Sequence, residues 1–301
     1  MEKISLGYTI KDLEVLTGIK AHTIRIWEKR YNILNPERSD SNIRQYNDND
    51  LKRLMNISIL NKHGFKISKI ACFTNDELAE KIINLSHNPN DNESQIESLI
   101  LAMIELDDKK FEKIISTNSI KMGFEDTILK VIYPFFERIG LLWQIGAINA
   151  AQEHFVSNLL RQKLIVAIDG QMGGTNEEAK RFMLFLPDGE YHELGLLFYT
   201  YILKKSGHKI IYLGQSVPFH DLKEIAAIKS PDYLVTSLTN PWPDNELELY
   251  FQKVADAFKD AIIYISGKQS RDYDTSLPAN IIKLTNTLDF KEKLKELNLI
   301  S

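Results

Sequence analysis

The chain has 301 residues, 44% apolar and 26% charged, which is the composition of a folded protein rather than a disordered one. It contains no run of eighteen apolar residues, no signal-peptide pattern at its start, and a single cysteine, Cys72. The sequence therefore predicts a cytoplasmic protein without a transmembrane helix, a disulfide or a multi-thiolate metal site. Its net charge of −4 is uneven, since residues 1–70 hold 13 basic and 8 acidic side chains. This excess of positive charge favours a nucleic-acid partner at the N-terminal end.

The first elements in the chain predict a helix-turn-helix. Residues 9–17 (TIKDLEVLT) follow an amphipathic pattern, Gly18 marks a turn, and a second helix is predicted over 21–31. Two helices joined by a short turn containing glycine have the spacing of that DNA-binding unit. A polar loop follows, and Asn47 is typical of the N-cap of a third helix.

The second helix and the following loop supply candidate DNA contacts. A helix with basic and polar side chains around an Ile24/Trp27 spine can enter a major groove, and the loop after it can form a wing against phosphates. A solvated basic helix is the alternative interpretation. The candidates are His22, Thr23, Arg25, Lys29 and Arg30 on the helix, and Arg38, Arg44 and Tyr46 on the wing.

The middle of the chain predicts a helical bundle. A polar linker at 86–94 precedes four helical patterns at 95–106, 108–120, 124–145 and 148–169. Gly146 predicts a break between the last two helices, which would bring Trp143, Glu153 and His154 to one end of the bundle. Taken alone, these residues are also compatible with a core aromatic and an ordinary histidine.

From Arg181 onward the spacing of apolar residues changes and indicates strands that alternate with helices. Apolar runs at 182–186, 209–213, 233–237, 261–265 and 281–284 alternate with segments at 194–206, 219–229, 245–259 and 287–297. This order predicts a parallel, doubly wound sheet, whose ligands bind at the carboxyl ends of the strands. The loops to inspect are 187–195, 214–219, 236–243 and 266–270.

The first of these loops, PDGEYHELG, contains a candidate metal ligand. His192 can bind a metal through one ring nitrogen while Glu190 fixes the other, and Gly195 lets a planar ligand approach the backbone. A histidine on an ordinary loop remains the alternative from spacing alone.

The N-terminal sequence resembles the MerR family of transcription factors. The resemblance covers the whole winged-helix segment and includes T-I-R-I-W-E, the Arg30-Tyr31 end, P-x-R and I-R-Q-Y. It implies a dimer on a palindromic operator. Metal sensors of this family use paired cysteines, so the single Cys72 argues against thiolate sensing.

The remainder resembles the light-sensing, adenosylcobalamin-binding MerR regulators of the CarH/LitR type. Residues 190–195 are similar to the cobalamin signature D-x-H-x-x-G, with Glu190 in the Asp place, and Trp143–His154 matches W-x9-E-H of the cap. Thr236-Ser237-Leu238 resembles S-x-L with threonine in the serine place, and Gly267-Lys268 stands where Gly-Gly is usual. Gln144 stands where some relatives have a histidine that captures cobalt after photolysis.

The resemblance implies a three-part architecture: winged helix-turn-helix, four-helix-bundle cap and Rossmann-like, flavodoxin-like α/β domain. The expected bounds are 1–75 for the DNA-binding domain, 76–94 for a linker, 95–175 for the cap and 176–301 for the cobalamin-binding domain. It also implies that His192 is the lower cobalt ligand, with Glu190, Gly195, Thr236, Leu238 and Gly267 in the cofactor site. Trp143, Glu153 and His154 would surround the upper 5′-deoxyadenosyl group.

The implied function is repression in the dark by a DNA-bound homodimer or homotetramer, released when light breaks the cobalt–carbon bond. Such a protein is a regulator, not an enzyme, and needs no membrane. Two alternatives remain: a MerR-like regulator that senses another ligand or a protein partner, and a corrinoid methyl-carrier module. The winged helix argues against the second, because a methyl carrier has no need of it.

Overall fold

The computed structural model describes residues 7–38, 43–75, 77–78, 81, 92–144, 148–171, 179–297 and 299–300. The chain forms two compact units, residues 1–159 and 160–301. The boundary between them falls inside a helix, whereas the sequence pattern places a domain boundary at 175/176. No helix in the described part of the chain is long and apolar enough to cross a membrane.

The first unit begins with the predicted helix-turn-helix and wing. Thr9 forms a capping box with Asp12 at the start of the first helix, and Gly18 ends that helix with a φ of 72°. Asn47 caps the third helix as predicted. The elements are α1 (Ile10–Thr17), α2 (Ala21–Tyr31), the antiparallel wing strands β1 (Glu37–Arg38) and β2 (Arg44–Gln45), α3 (Asp48–Lys62) and α4 (Ile67–Ile70).

The four predicted bundle helices follow, and the third contains a π-helical turn. Pro134 has no N–H to donate to the carbonyl four residues earlier, and the wider turn at Ile128–Ile132 directly precedes it. The predicted linker lies mostly outside the described residues, as does the predicted break at Gly146. The elements are α5 (Asn92–Glu105), α6 (Asp108–Met122), α7 (Phe124–Thr127), the π turn, α8 (Tyr133–Gln144) and α9 (Ala150–Asp169).

Charged contacts join the helix-turn-helix to the bundle within the first unit. Arg138 on α8 donates to the backbone carbonyl of Leu16 on α1 (3.0 Å) and to Glu93 on α5 (2.8 Å). Lys62 on α3 pairs with the buried Glu97 on α5. Burial raises the pKa of Glu97, although the Lys62 ammonium opposes this change.

The second unit is the predicted parallel α/β sheet, with the strands in the order β4 (Lys209–Val217), β3 (Arg181–Pro187), β5 (Tyr233–Ser237), β6 (Ile262–Ser266) and β7 (Ile281–Lys283). Helices cover both faces, and one apolar core lies between the sheet and the helices α11 (Phe219–Ile228) and α12 (Asp244–Ala257). The helix at 268–272 was not predicted, because its five residues lie in what the sequence pattern indicates as a loop. The elements are β3 (Arg181–Pro187), α10 (Leu194–Lys205), β4 (Lys209–Val217), α11 (Phe219–Ile228), β5 (Tyr233–Ser237), α12 (Asp244–Ala257), β6 (Ile262–Ser266), α13 (Lys268–Asp272), β7 (Ile281–Lys283) and α14 (Thr287–Glu296).

Candidate cofactor and DNA-binding sites

The loop that carries His192 lies at the switch point of the sheet. It joins β3 to α10, and β3 is flanked by β4 on one side and β5 on the other. The connections from these strands leave in opposite directions and open a crevice at their carboxyl ends, where open α/β sheets bind ligands. The structure therefore places Glu190 and His192 where the strand pattern predicted a ligand loop.

Glu190 is the centre of this loop and is 1% exposed. Its Oε1 accepts hydrogen bonds from the backbone N–H groups of Tyr191 (3.0 Å) and His192 (3.1 Å) and lies 2.5 Å from His192 Nδ1. Its Oε2 accepts the N–H groups of Thr239 (2.7 Å) and Asn240 (2.8 Å), in the loop after β5. One carboxylate thus holds two ligand loops together.

These contacts decide the charge of Glu190 and the orientation of His192. Burial would raise the pKa of Glu190, but hydrogen bonds from the His192 ring and from three backbone N–H groups outweigh it and lower the pKa to about 2. Glu190 is therefore a carboxylate at neutral pH. Its carboxylate contacts Nδ1 of His192, so Nε2 is the ring nitrogen that could bind a metal. The His192 side chain is 58% exposed.

Further hydrogen bonds fix this loop to β4 on one side and to the loop after β5 on the other. Ser216 donates its backbone N–H to the carbonyl of Glu190 (3.1 Å) and accepts the N–H of Gly189 through its hydroxyl (3.0 Å). The amide of Asn240 donates to the Gly189 carbonyl (3.0 Å). The loop is preorganised, which is what a ligand-holding histidine requires.

Glu193 is a member of the site that sequence reasoning missed. It is buried, pairs with Arg161 on α9, and accepts a hydrogen bond from the Tyr212 hydroxyl (2.7 Å). The position of Glu193 directly after His192 was a weak sequence signal for a role in the site. The sequence around Arg161 gave no such signal, because Arg161 lies on a helix that is distant in sequence from His192.

The two predicted glycines occupy different surroundings. A Cβ at Gly195 would meet no atom within 4 Å, so the backbone there is open to a ligand, as predicted. Gly267 has a φ of +95°, and its Cβ would lie 2.2 Å from the carbonyl oxygen of Leu238. Gly267 is required by packing against the backbone of Leu238, and its contact with a cofactor stays a prediction.

The S-x-L-like residues end β5 on alternating faces of the sheet. Leu238 packs in the core beneath α11 and α12, so the structure gives its side chain a packing role. Thr236 is buried, and its hydroxyl has no hydrogen-bond partner in the described part of the chain. On the opposite face, Ser237 pairs in register with Ser266, whose hydroxyl donates a hydrogen bond to the backbone carbonyl of Thr236 (3.2 Å). The sequence reasoning named Thr236 and missed this second group of hydroxyls.

The three predicted cap residues lie on the adjoining ends of α8 and α9. Trp143 is in the last turn of α8 and is half exposed, and Glu153 and His154 are in the first turns of α9. His154 Nδ1 lies 2.9 Å from Glu153 Oε2, and Ser157 donates to the other oxygen of Glu153. The structure thus brings these residues to one end of the bundle, as predicted.

The predicted DNA-contacting residues of α2 lie mainly on its exposed side. His22, Arg25, Lys29 and Arg30 are exposed, and Thr23, partly exposed, shares a hydrogen bond with His22 (3.3 Å). The opposite side of the helix is anchored by the fully buried Ile24. The arrangement presents positive charge outward from the helix-turn-helix.

The wing gives one correction. Arg38 is exposed on β1, and Arg44 on β2 ion-pairs with Glu28 of α2 (3.0 Å). Tyr46 is fully buried, and its hydroxyl donates to the other oxygen of Glu28 (2.9 Å). The prediction that the Tyr46 side chain contacts DNA is therefore wrong. It fastens the wing to α2, and burial together with this hydrogen bond raises its pKa.

Comparison with known families defines the class of the protein. Residues 8–76 match the MerR HTH family of regulatory proteins, and residues 95–167 match the B12 binding domain. The chain therefore contains a MerR-type helix-turn-helix segment and a B12-binding segment, which together indicate a DNA-binding transcription regulator with a corrinoid cofactor rather than an enzyme.

Individual relatives narrow the class. The chain is 25% identical to the HTH-type transcriptional repressor CarH of Myxococcus xanthus, over 88% of this chain and 90% of that repressor. It is 22% identical to the HTH-type transcriptional repressor CarA of the same organism, over 88% of each. The monomethylamine corrinoid protein of Methanosarcina barkeri superposes with a TM-score of 0.55 and 18% identity, covering 68% of this chain and 99% of that chain, which shows the fold alone. The predicted class, fold and corrinoid cofactor are confirmed.

Proposed function

We propose that the chain is a light-responsive repressor that binds adenosylcobalamin and, in the dark, binds operator DNA as a homodimer or homotetramer. The observation that carries this proposal is the Glu190–His192 pair, in which a buried carboxylate fixes one ring nitrogen of an exposed histidine. The similarity to two transcriptional repressors over 88% of the chain supports repression rather than activation.

The donor set fits a cobalamin. His192 would hold the cobalt of a corrinoid through Nε2 at the edge of the sheet, while Glu190 engages Nδ1. The open backbone at Gly195 and the unpartnered hydroxyl of Thr236 are suited to a large polar ligand. Trp143 with the Glu153–His154 pair would contact the upper, adenosyl group.

When bound, adenosylcobalamin supplies a cobalt–carbon bond that light breaks. Glu190 keeps His192 in one tautomer, and the half-exposed Trp143 would contact the group that light removes. The outward basic side of α2, with Arg38 and Arg44 on the wing, would contact operator DNA. A thousandfold loss of DNA binding requires that the cofactor favour the DNA-binding state by about 4 kcal/mol.

Cofactor binding is tested by retention of cobalt. The full-length protein is loaded with adenosylcobalamin in darkness, gel-filtered, and assayed for cobalt per chain and for its visible spectrum. We expect stoichiometric retention by the parent, well over tenfold weaker retention by His192→Ala, and parental behaviour from the control His220→Ala, an exposed histidine on α11. Equal retention by His192→Ala would contradict the ligand assignment.

Light sensing is tested on the same samples. Size-exclusion chromatography and DNA binding are measured in darkness and after green light, and we expect a smaller species with weaker DNA binding after illumination. Unchanged elution and DNA binding in a cobalt-loaded sample would refute the light response while leaving the cofactor assignment intact.

A further inference from the structure

The outward side of α2 contains an isoleucine that the basic pattern does not explain. With 3.6 residues per turn, His22, Arg25, Ile26 and Lys29 share one side of the helix, opposite the buried Ile24. Ile26 is 54% exposed within this side. An isolated exposed isoleucine needs no explanation, but this one lies among the residues that are proposed to face DNA.

The acidic residue of α2 is directed away from this side. Glu28 accepts hydrogen bonds from Arg44 and Tyr46 on the wing, so its carboxylate is neutralised at the junction of wing and helix. The exposed side of α2 therefore presents three cationic or polar side chains and one apolar side chain. Arginine and lysine read guanine or phosphate, and neither recognises a methyl group.

We propose that Ile26 contacts the C5-methyl group of a thymine in each half-site of the operator, and so helps to determine its sequence. This inference rests on the DNA-binding function and on α2 being the helix that enters the major groove. In that groove the methyl group distinguishes thymine from cytosine and is an apolar target. Burying one methyl group against Ile26 is expected to strengthen binding about fourfold, from about 0.8 kcal/mol per methyl-sized group.

The experiment removes the methyl group without changing the base pairing. DNA duplexes that bind the full-length protein are first selected from a random-sequence pool, once with and once without adenosylcobalamin, both in darkness. Whichever form of the protein, cofactor-bound or cofactor-free, selects duplexes is used in the following steps. Each thymine of the selected half-site is then replaced singly by deoxyuridine, and Kd is measured by fluorescence anisotropy. We expect one position per half-site at which the parent binds about fourfold more weakly.

The same series with Ile26→Ala tests whether Ile26 makes the contact. The variant should bind the thymine duplex about as weakly as the parent binds the deoxyuridine duplex, and should not distinguish the two. Ile120→Ala, at an isoleucine that is 86% exposed on α6, controls for loss of an exposed isoleucine and should retain the full methyl effect.

Three outcomes would overturn the proposal. If no thymine shows a methyl effect, or if Ile26→Ala keeps the parental effect, Ile26 does not read thymine although the protein binds DNA. If no duplex is selected at all, the DNA-binding function on which the inference rests fails with it.

Discussion

The replacement of Glu190 by glutamine tests how the ligand loop is held. Glutamine has nearly the same shape, but it has one acceptor oxygen in place of two and an NH2 group that cannot accept the N–H donors. Either the Tyr191 and His192 pair or the Thr239 and Asn240 pair of backbone N–H groups would lose its acceptor. We expect the second unit of Glu190→Gln to be markedly less stable than that of the parent.

The magnitude follows from the pKa. Folding lowers the pKa of Glu190 from 4.5 to about 2. At about 1.4 kcal/mol per pKa unit, the ionised carboxylate contributes about 3 kcal/mol to the free energy of unfolding at pH 7. Because the folded pKa is the lower one, this contribution is fully present above the unfolded pKa and is lost as the pH falls toward 2. At pH 3.5 it should have decreased to about 2 kcal/mol.

The assay is urea unfolding of the cofactor-free, full-length chain, followed by circular dichroism at pH 7 and pH 3.5. The data are fitted with two transitions, because the chain has two compact units. Glu224→Gln, at an exposed glutamate on α11, is the matched control and should change neither transition. A loss below 1 kcal/mol for Glu190→Gln at pH 7, or an equal loss at both pH values, would refute the reasoning.

Two further predictions concern the glycines of the candidate site and the ion pair between Arg161 and Glu193. Gly267→Ala should destabilise the second unit by about 2 kcal/mol or more, because its Cβ would collide with the backbone of Leu238 at a positive φ. Gly195→Ala should leave stability unchanged or raise it by up to about 1 kcal/mol, and it should weaken cobalamin retention. Equal melting temperatures for the two variants would contradict this prediction. Arg161→Met should lower the free energy of unfolding of the second unit by about 1–2 kcal/mol, because the buried carboxylate of Glu193 loses a cation that is itself about half exposed. Glu193→Gln in the same chain should recover part of that loss. A double variant no more stable than the single one in urea unfolding would argue against the pair.

Much of the candidate site was predictable from local pattern. His192 lies in a loop because an apolar strand ends at Pro187 and a helix begins at Leu194, and both signals are local in sequence. The placement of Trp143 and Glu153 at the adjoining ends of two consecutive helices also follows from the chain, because both residues lie close in sequence to the predicted break between the helices.

Other features depended on residues that are distant in sequence. The Thr239 and Asn240 donors reach Glu190 because β5 lies beside β3 in the sheet, an adjacency that strand patterns alone do not specify. The longer glutamate arm, which in sequence looked like a simple departure from aspartate, spans the two loops. For the same reason, the burial of Tyr46 could not be predicted: its partner Glu28 lies on another element.

The sequence by itself determined the order of modules, the parallel sheet, and the residue types for a corrinoid and for DNA, because periodicity, caps and short spacings act over a few residues. The tertiary structure decided which groups are charged, buried or oriented. The pKa of Glu190, the anchoring of Glu193 by Arg161 and the packing of Gly267 against Leu238 all arise between segments that only folding brings together.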